Sequence, residues 1–136
     1  MADTLQFDLV APERRVASER ALQVVIPGFE GDLTALPKHA PMITTLRPGV
    51  LEVLTEKGSQ KYIVTGGFAE ITTDRATVLA ERSHAVEEVT QEMIEEMIAA
   101  ARAAHLEAKA ELVDASAKML ADMVAMGSRM GFEPKN

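Results

Sequence analysis

The sequence predicts an α+β chain. An N-terminal antiparallel β-sandwich, or flattened barrel, covers residues 1–86, and a C-terminal antiparallel two-helix hairpin covers 87–136, with a frayed tail. Three observations support this. Leu5-Gln6-Phe7-Asp8-Leu9 alternates apolar and polar residues, the period of a half-buried strand. Six of the 8 glycines and five of the 6 prolines precede residue 86, and none falls between Val86 and Met126. From there on, Val89, Met93, Met97 and Ile98 recur at helical spacing.

Six strands follow in order: Leu5–Leu9, Leu22–Ile26, Val50–Leu54, Gln60–Val64, Phe68–Thr72 and Ala76–Ala80. Lys57-Gly58 is a turn signal between the third and fourth, Gly66-Gly67 a tight bend or bulge before the fifth, and Thr73-Asp74-Arg75 a turn before the sixth. Thr90, with Gln91 and Glu92 behind it, is an N-cap with an acid in the first turn, where the helix dipole favours negative charge. Leu112, Met119, Leu120, Met123 and Val124 form a second apolar stripe. One helix from 90 to 126 would be about 55 Å long, so a hairpin that buries the two stripes is expected, with its turn between His105 and Asp114 and a stop at Gly127. Met93, Met97 and Met119 are expected in its core. Met126 and Met130 are nearer the end, where they could serve a partner.

Composition narrows the function. Net charge is −7 and the pI about 5.0, which disfavours nucleic acid and anionic membrane surfaces as direct partners. There is no cysteine, so disulfides and cysteine-ligated metals are excluded. The first residues lack the pattern of a secretory signal, and no apolar run approaches the roughly 18 residues of a membrane span, so direct membrane insertion is not expected. His39, His84 and His105 are scattered and show no metal spacing. No nucleophile–base–orienter set can be assembled, so neither catalytic nor metal residues are expected.

The run from Pro27 to Pro41 is the least ordinary stretch. Three prolines and two glycines in fifteen positions read as a shaped loop between apolar runs, carrying Glu30, Asp32, Lys38 and His39. Asp32 and His39 have no evident partner nearby in sequence. Two readings stand: a shaped crossing between strands, or a surface for another protein.

Five segments in register carry a resemblance. They are Val10-Ala11-Pro12-Glu13-Arg14; Pro27-Gly28-Phe29-Glu30-Gly31-Asp32 with Leu36-Pro37-Lys38-His39-Ala40-Pro41; Arg47-Pro48-Gly49; Gly66-Gly67-Phe68-Ala69-Glu70; and Val78-Leu79-Ala80-Glu81. Over nearly its whole length the chain resembles the epsilon subunit of F-type (rotary) ATP synthases, of bacterial type. The resemblance implies a sandwich plus helical hairpin, with no active site and no cofactor. It implies a central-stalk subunit at the cytoplasmic face of the inner membrane, peripheral through its complex. That subunit binds gamma and the c-ring, couples proton flow to ATP synthesis, and can reach the catalytic alpha and beta subunits through its helical domain. The implied ring contact is Glu30, Gly31, Asp32 and His39, with Lys38 and Pro41 nearby.

Two departures bear on regulation. Some members bind ATP through Ile/Leu-Asp-x-x-Arg-Ala in the helical domain. Here Ile98, Arg102 and Ala103 remain, but Ala99 stands where the carboxylate would be. Others inhibit ATP hydrolysis with a basic hairpin, whereas residues 87–136 carry ten acidic residues against five basic. Weak intrinsic inhibition is therefore expected.

Overall fold

The computed structural model describes residues 3–12 and 14–132. The chain divides between Ala85 and Val86 into two compact units. The first holds ten strands: β1 (Leu5–Ala11), β2 (Arg14–Ala21), β3 (Gln23–Gly28), β4 (Gly31–Ala35), β5 (Met42–Thr45), β6 (Gly49–Thr55), β7 (Gly58–Thr65), β8 (Phe68–Ile71), β9 (Arg75–Leu79) and β10 (Arg82–Ala85). The second holds α1 (Gln91–Leu106) and α2 (Val113–Arg129), each preceded by a short 3-10 turn.

The strands form two five-stranded sheets, ordered β2-β1-β9-β8-β5 and β10-β7-β6-β3-β4. Every named pair is antiparallel except β1 with β9, which is parallel. Alternate residues of each inner face make the core between the sheets. Leu5, Phe7, Leu9, Val24, Ile26, Leu51, Val53, Val64, Ile71 and Val78 are fully buried there. Burying a side chain of this size contributes about 1.5–3 kcal/mol, and that common core is what makes ten short strands one unit.

The six strands expected from the sequence are β1, β3, β6, β7, β8 and β9, all interior to their sheets. The four not expected, β2, β4, β5 and β10, are the four sheet edges. An edge strand has a single neighbour and these four are largely exposed or half-buried, so they carry no clean period. On β2 only Ala21 is fully buried, and Glu19 lies opposite the inward-facing Phe7. One of its carboxylate oxygens, Oε1, is buried without a hydrogen-bond partner among the described residues. An inward-pointing charge of this kind discourages further strands from adding to the edge.

The run 27–41 is also corrected. Pro27 and Gly28 belong to β3, and residues 31–35 form β4, closing a hairpin through Phe29-Glu30. Pro27 is tolerated because pairing with β6 ends at Val25, so no neighbour there needs its missing N–H. Gly66-Gly67 is the expected bend between β7 and β8. Gly67 sits at φ +90, and a Cβ there would lie 1.8 Å from the Leu79 carbonyl oxygen.

In the helical unit Thr90 is the N-cap, its side chain accepting from the Met93 N–H at 3.2 Å. The turn falls within the expected window, between Leu106 and Val113. Two contacts set the antiparallel register. Ser116 Oγ donates to the Val113 carbonyl at 2.9 Å and accepts from His105 Nδ1 at 2.8 Å. Eleven residues back along α1 and eleven forward along α2, Gly127 meets Ile94. Eleven residues are close to three helical turns, so both contacts lie on one seam.

Gly127 is thus not the helix stop. α2 continues to Arg129, and the positive φ falls at Gly131. A Cβ at Gly127 would come within 2.8 Å of the Ile94 side chain, so the glycine serves close helix approach. Met97, Met123 and Met126 are buried, so Met126 is not offered to a partner. Leu112 and Met119, expected in the stripe, are exposed. The part of the expected frayed tail beyond Phe132 lies outside the described residues.

Candidate docking surface

Every sandwich strand runs between the same two ends. One end gathers the β1–β2, β3–β4, β7–β8 and β9–β10 turns and the segment after β5. The other gathers the β6–β7 and β8–β9 turns and the β2–β3 and β4–β5 connections. The six residues singled out in sequence do not form one cluster. Glu30, Gly31 and Asp32 sit at the first end. Lys38, His39 and Pro41 sit at the second, a strand length away: Gly31 to Ala35 spans about 13 Å. Both groups lie on the same flank, where the edge strands β4 and β5 follow one another.

The first corner is tied down from three directions. Phe29 N–H donates to the Thr45 carbonyl at 2.8 Å, Arg47 N–H donates to the Pro27 carbonyl at 3.0 Å, and Gly28 bridges Leu46. The Arg47 guanidinium adds a bond from Nη1 to the Gly28 carbonyl at 2.6 Å and an ion pair from Nη2 to Asp32. Asp32 therefore has a partner fifteen residues away, which its sequence neighbourhood did not reveal. Glu30, at the tip, is exposed and has no hydrogen bond or ion pair among the described residues.

The second corner is built differently. Lys38 adopts φ 70, unusual for a residue with a side chain. Its N–H donates to the Thr73 carbonyl at 2.6 Å, and its side chain is 84% exposed, with the ammonium 3.7 Å from Asp3. His39 Nδ1 donates to the adjacent Ala40 carbonyl at 2.5 Å, and its own N–H bonds the Leu36 carbonyl. The polar groups here hold a loop in shape.

Between the corners the flank is apolar and open. Phe29, Leu36 and Met42 are each exposed by more than a third, and Ile43 is 68% exposed. Phe68 and Leu79, paired across β8 and β9, add a second exposed apolar spot. Neither Arg47 nor this flank was among the residues singled out in sequence. The available signal was Arg47-Pro48-Gly49, a cation whose backbone the following proline restricts to extended conformations.

Residues 4–86 match the family described as ATP synthase, delta/epsilon chain, β-sandwich domain. The chain is 54% identical over 130 residues to the ATP synthase epsilon chain of Rhodobacter capsulatus, covering 96% of this chain and 98% of that one. The chain belongs to the ATP synthase epsilon-chain family.

The epsilon chain of Paracoccus denitrificans is 50% identical over 143 residues, covering 100% of this chain and 97% of that one. Two solved structures share the fold. A chain of the Euglena gracilis mitochondrial ATP synthase, described as OSCP/F1/c-ring in rotational state 1, gives a TM-score of 0.72 at 22% identity, with 93% of this chain and 81% of that one covered. A chain of the Tetrahymena thermophila enzyme, described as central stalk/c-ring, gives 0.64 at 15% identity, with 93% and 96% covered. An epsilon chain is a non-catalytic subunit of ATP synthase. Its surface is therefore a matter of docking, and no helix among its described residues is long and apolar enough to cross a membrane.

The stretch from Ile98 to Ala103 lies on α1. Ile98 is buried in the hairpin unit, while Ala99, Arg102 and Ala103 are exposed. Arg102 makes no hydrogen bond or ion pair among the described residues.

Proposed function

We propose that this chain is a central-stalk rotor subunit of a proton-translocating ATP synthase, peripheral at the cytoplasmic face of the inner membrane. In this reading the open apolar flank of β4 and β5 packs against the gamma subunit, and the Glu30–Gly31–Asp32 corner meets the polar loops of the c-ring. The full-length match to epsilon chains supports the subunit assignment, and the c-ring and central stalk named for the two fold neighbours support the partners. The observation that carries the surface is the flank itself: Ile43 stands 68% exposed beside a corner held by hydrogen bonds on three sides. Exposed apolar area of this kind gains by burial against another protein, and a rigid corner transmits force without rearranging. Lys38, His39 and Pro41, at the far end of that flank, are left out of the ring contact in this reading.

The helical unit has a lesser part. With Ala99 replacing a carboxylate and ten acidic residues against five basic in 87–136, nucleotide sensing and intrinsic ATPase inhibition through the alpha and beta subunits are weak.

An affinity tag on the full chain should recover gamma, the catalytic subunits and the c-ring together. Recovery of the chain alone would refute the assignment. Within the complex, Glu30→Ala with Asp32→Ala should release the c-ring at lower salt while gamma stays bound. Lys38→Ala with His39→Ala should have the smaller effect. The reverse order would move the ring contact to the other corner.

A further inference from the structure

Glu30 and Asp32 differ by one intervening residue and share a charge, yet the fold gives them different surroundings. Asp32 is 45% exposed and paired with Arg47, whose side chain is 22% exposed. Three donors of Arg47 converge on one turn: its N–H on Pro27, Nη1 on Gly28 and Nη2 on Asp32. The Arg47 backbone is itself fixed. Pro48 is buried behind it, and Gly49 packs so tightly on Pro27 that a Cβ would come within 2.7 Å. The hairpin is equally tight at Gly28, where a Cβ would meet the Gly31 carbonyl oxygen at 2.8 Å. A planar guanidinium can hold a carbonyl and a carboxylate at once, which an ammonium does poorly. Glu30 projects from the turn so held, unpaired.

We propose that Arg47 is the positioning residue of this corner. It holds the Phe29–Glu30 turn so that the Glu30 carboxylate meets a cationic side chain of the ring, while Asp32 acts only through Arg47. This rests on the ring contact proposed above. An acid already neutralised by its own guanidinium offers a partner little net charge. An unpaired exposed acid offers all of its charge, and its contribution is screened by salt.

The test titrates the full-length chain and its variants onto purified c-rings at several salt concentrations. Glu30→Gln should weaken binding about tenfold and flatten its salt dependence. Arg47→Gln and Asp32→Asn should each weaken it about fivefold, and the double variant should bind no worse than Arg47→Gln alone, the mark of one coupled unit. Arg47→Lys should fall between wild type and Arg47→Gln, and its cycle with Asp32→Asn serves if Arg47→Gln fails to fold. Binding of gamma, measured alongside, should be unchanged in every variant, which a general loss of structure would not allow. If Asp32→Asn weakens binding as much with Arg47→Gln as without it, Asp32 touches the ring directly and the proposal falls, as it does if Arg47→Gln binds like wild type. A loss with Glu30→Gln beside either result leaves the ring contact standing. A wild-type chain that does not bind rings refutes the ring contact itself, and the role of Glu30 with it.

Discussion

The sandwich and the hairpin reach stability by opposite routes. The sandwich joins residues far apart in sequence: β1 pairs with β9 across about seventy residues, and its core holds ten or more side chains with no exposure. The hairpin joins two neighbouring helices along one seam, fixed by His105–Ser116 at one end and Ile94–Gly127 at the other. Its turn leaves Leu106 78% and Leu112 54% exposed. The first design concentrates stability in a closed core; the second spreads it thinly along a line. A single core deletion should therefore cost the sandwich more than a single seam change costs the hairpin.

The largest effect is expected from Phe7→Ala, a fully buried aromatic in the inner layer. It should destabilise the sandwich by about 3–5 kcal/mol. The chain's one tyrosine, Tyr62, lies in that core, so near-ultraviolet dichroism follows the sandwich. A loss under 1 kcal/mol would show that the core is not where its stability resides. Gly127→Val comes next, at about 1–3 kcal/mol, because its side chain must displace Ile94. It should appear in the helical signal at 222 nm, and an unchanged midpoint there would remove Gly127 from the seam. The smallest is Thr90→Ala, at about 1 kcal/mol, from loss of the cap to Met93. Thr90→Asp should restore the cap, and an equal loss in both variants would dismiss it.

The same contrast explains what could be read in advance. In the helices, the N-cap at Thr90 depends on a residue three away, and the turn window near residue 110 on the length of two apolar stripes, and both were legible. Gly127 was not: its role lies across the seam, and in sequence a glycine late in a helix reads as a stop. In the sandwich, β1 alternates between buried and half-buried residues and could be read from that period; the other interior strands were legible as apolar runs between turn signals, since β7, with four exposed residues followed by four buried ones, carries no such period.

Local spacing and composition therefore settled the two architectures, the six interior strands and the helix cap, because each follows from residues close in sequence. Long-range pairing settled the rest. It made edge strands of β2, β4, β5 and β10, whose backbones are ordered by one neighbour and whose side chains need no period. It separated Glu30–Asp32 from Lys38–His39, placing them at opposite ends of one flank although the sequence presents them as a single loop. It also brought Arg47 to Asp32. That ion pair joins residues fifteen apart, and such a contact exists only once β3, β4 and β5 have closed the corner around it.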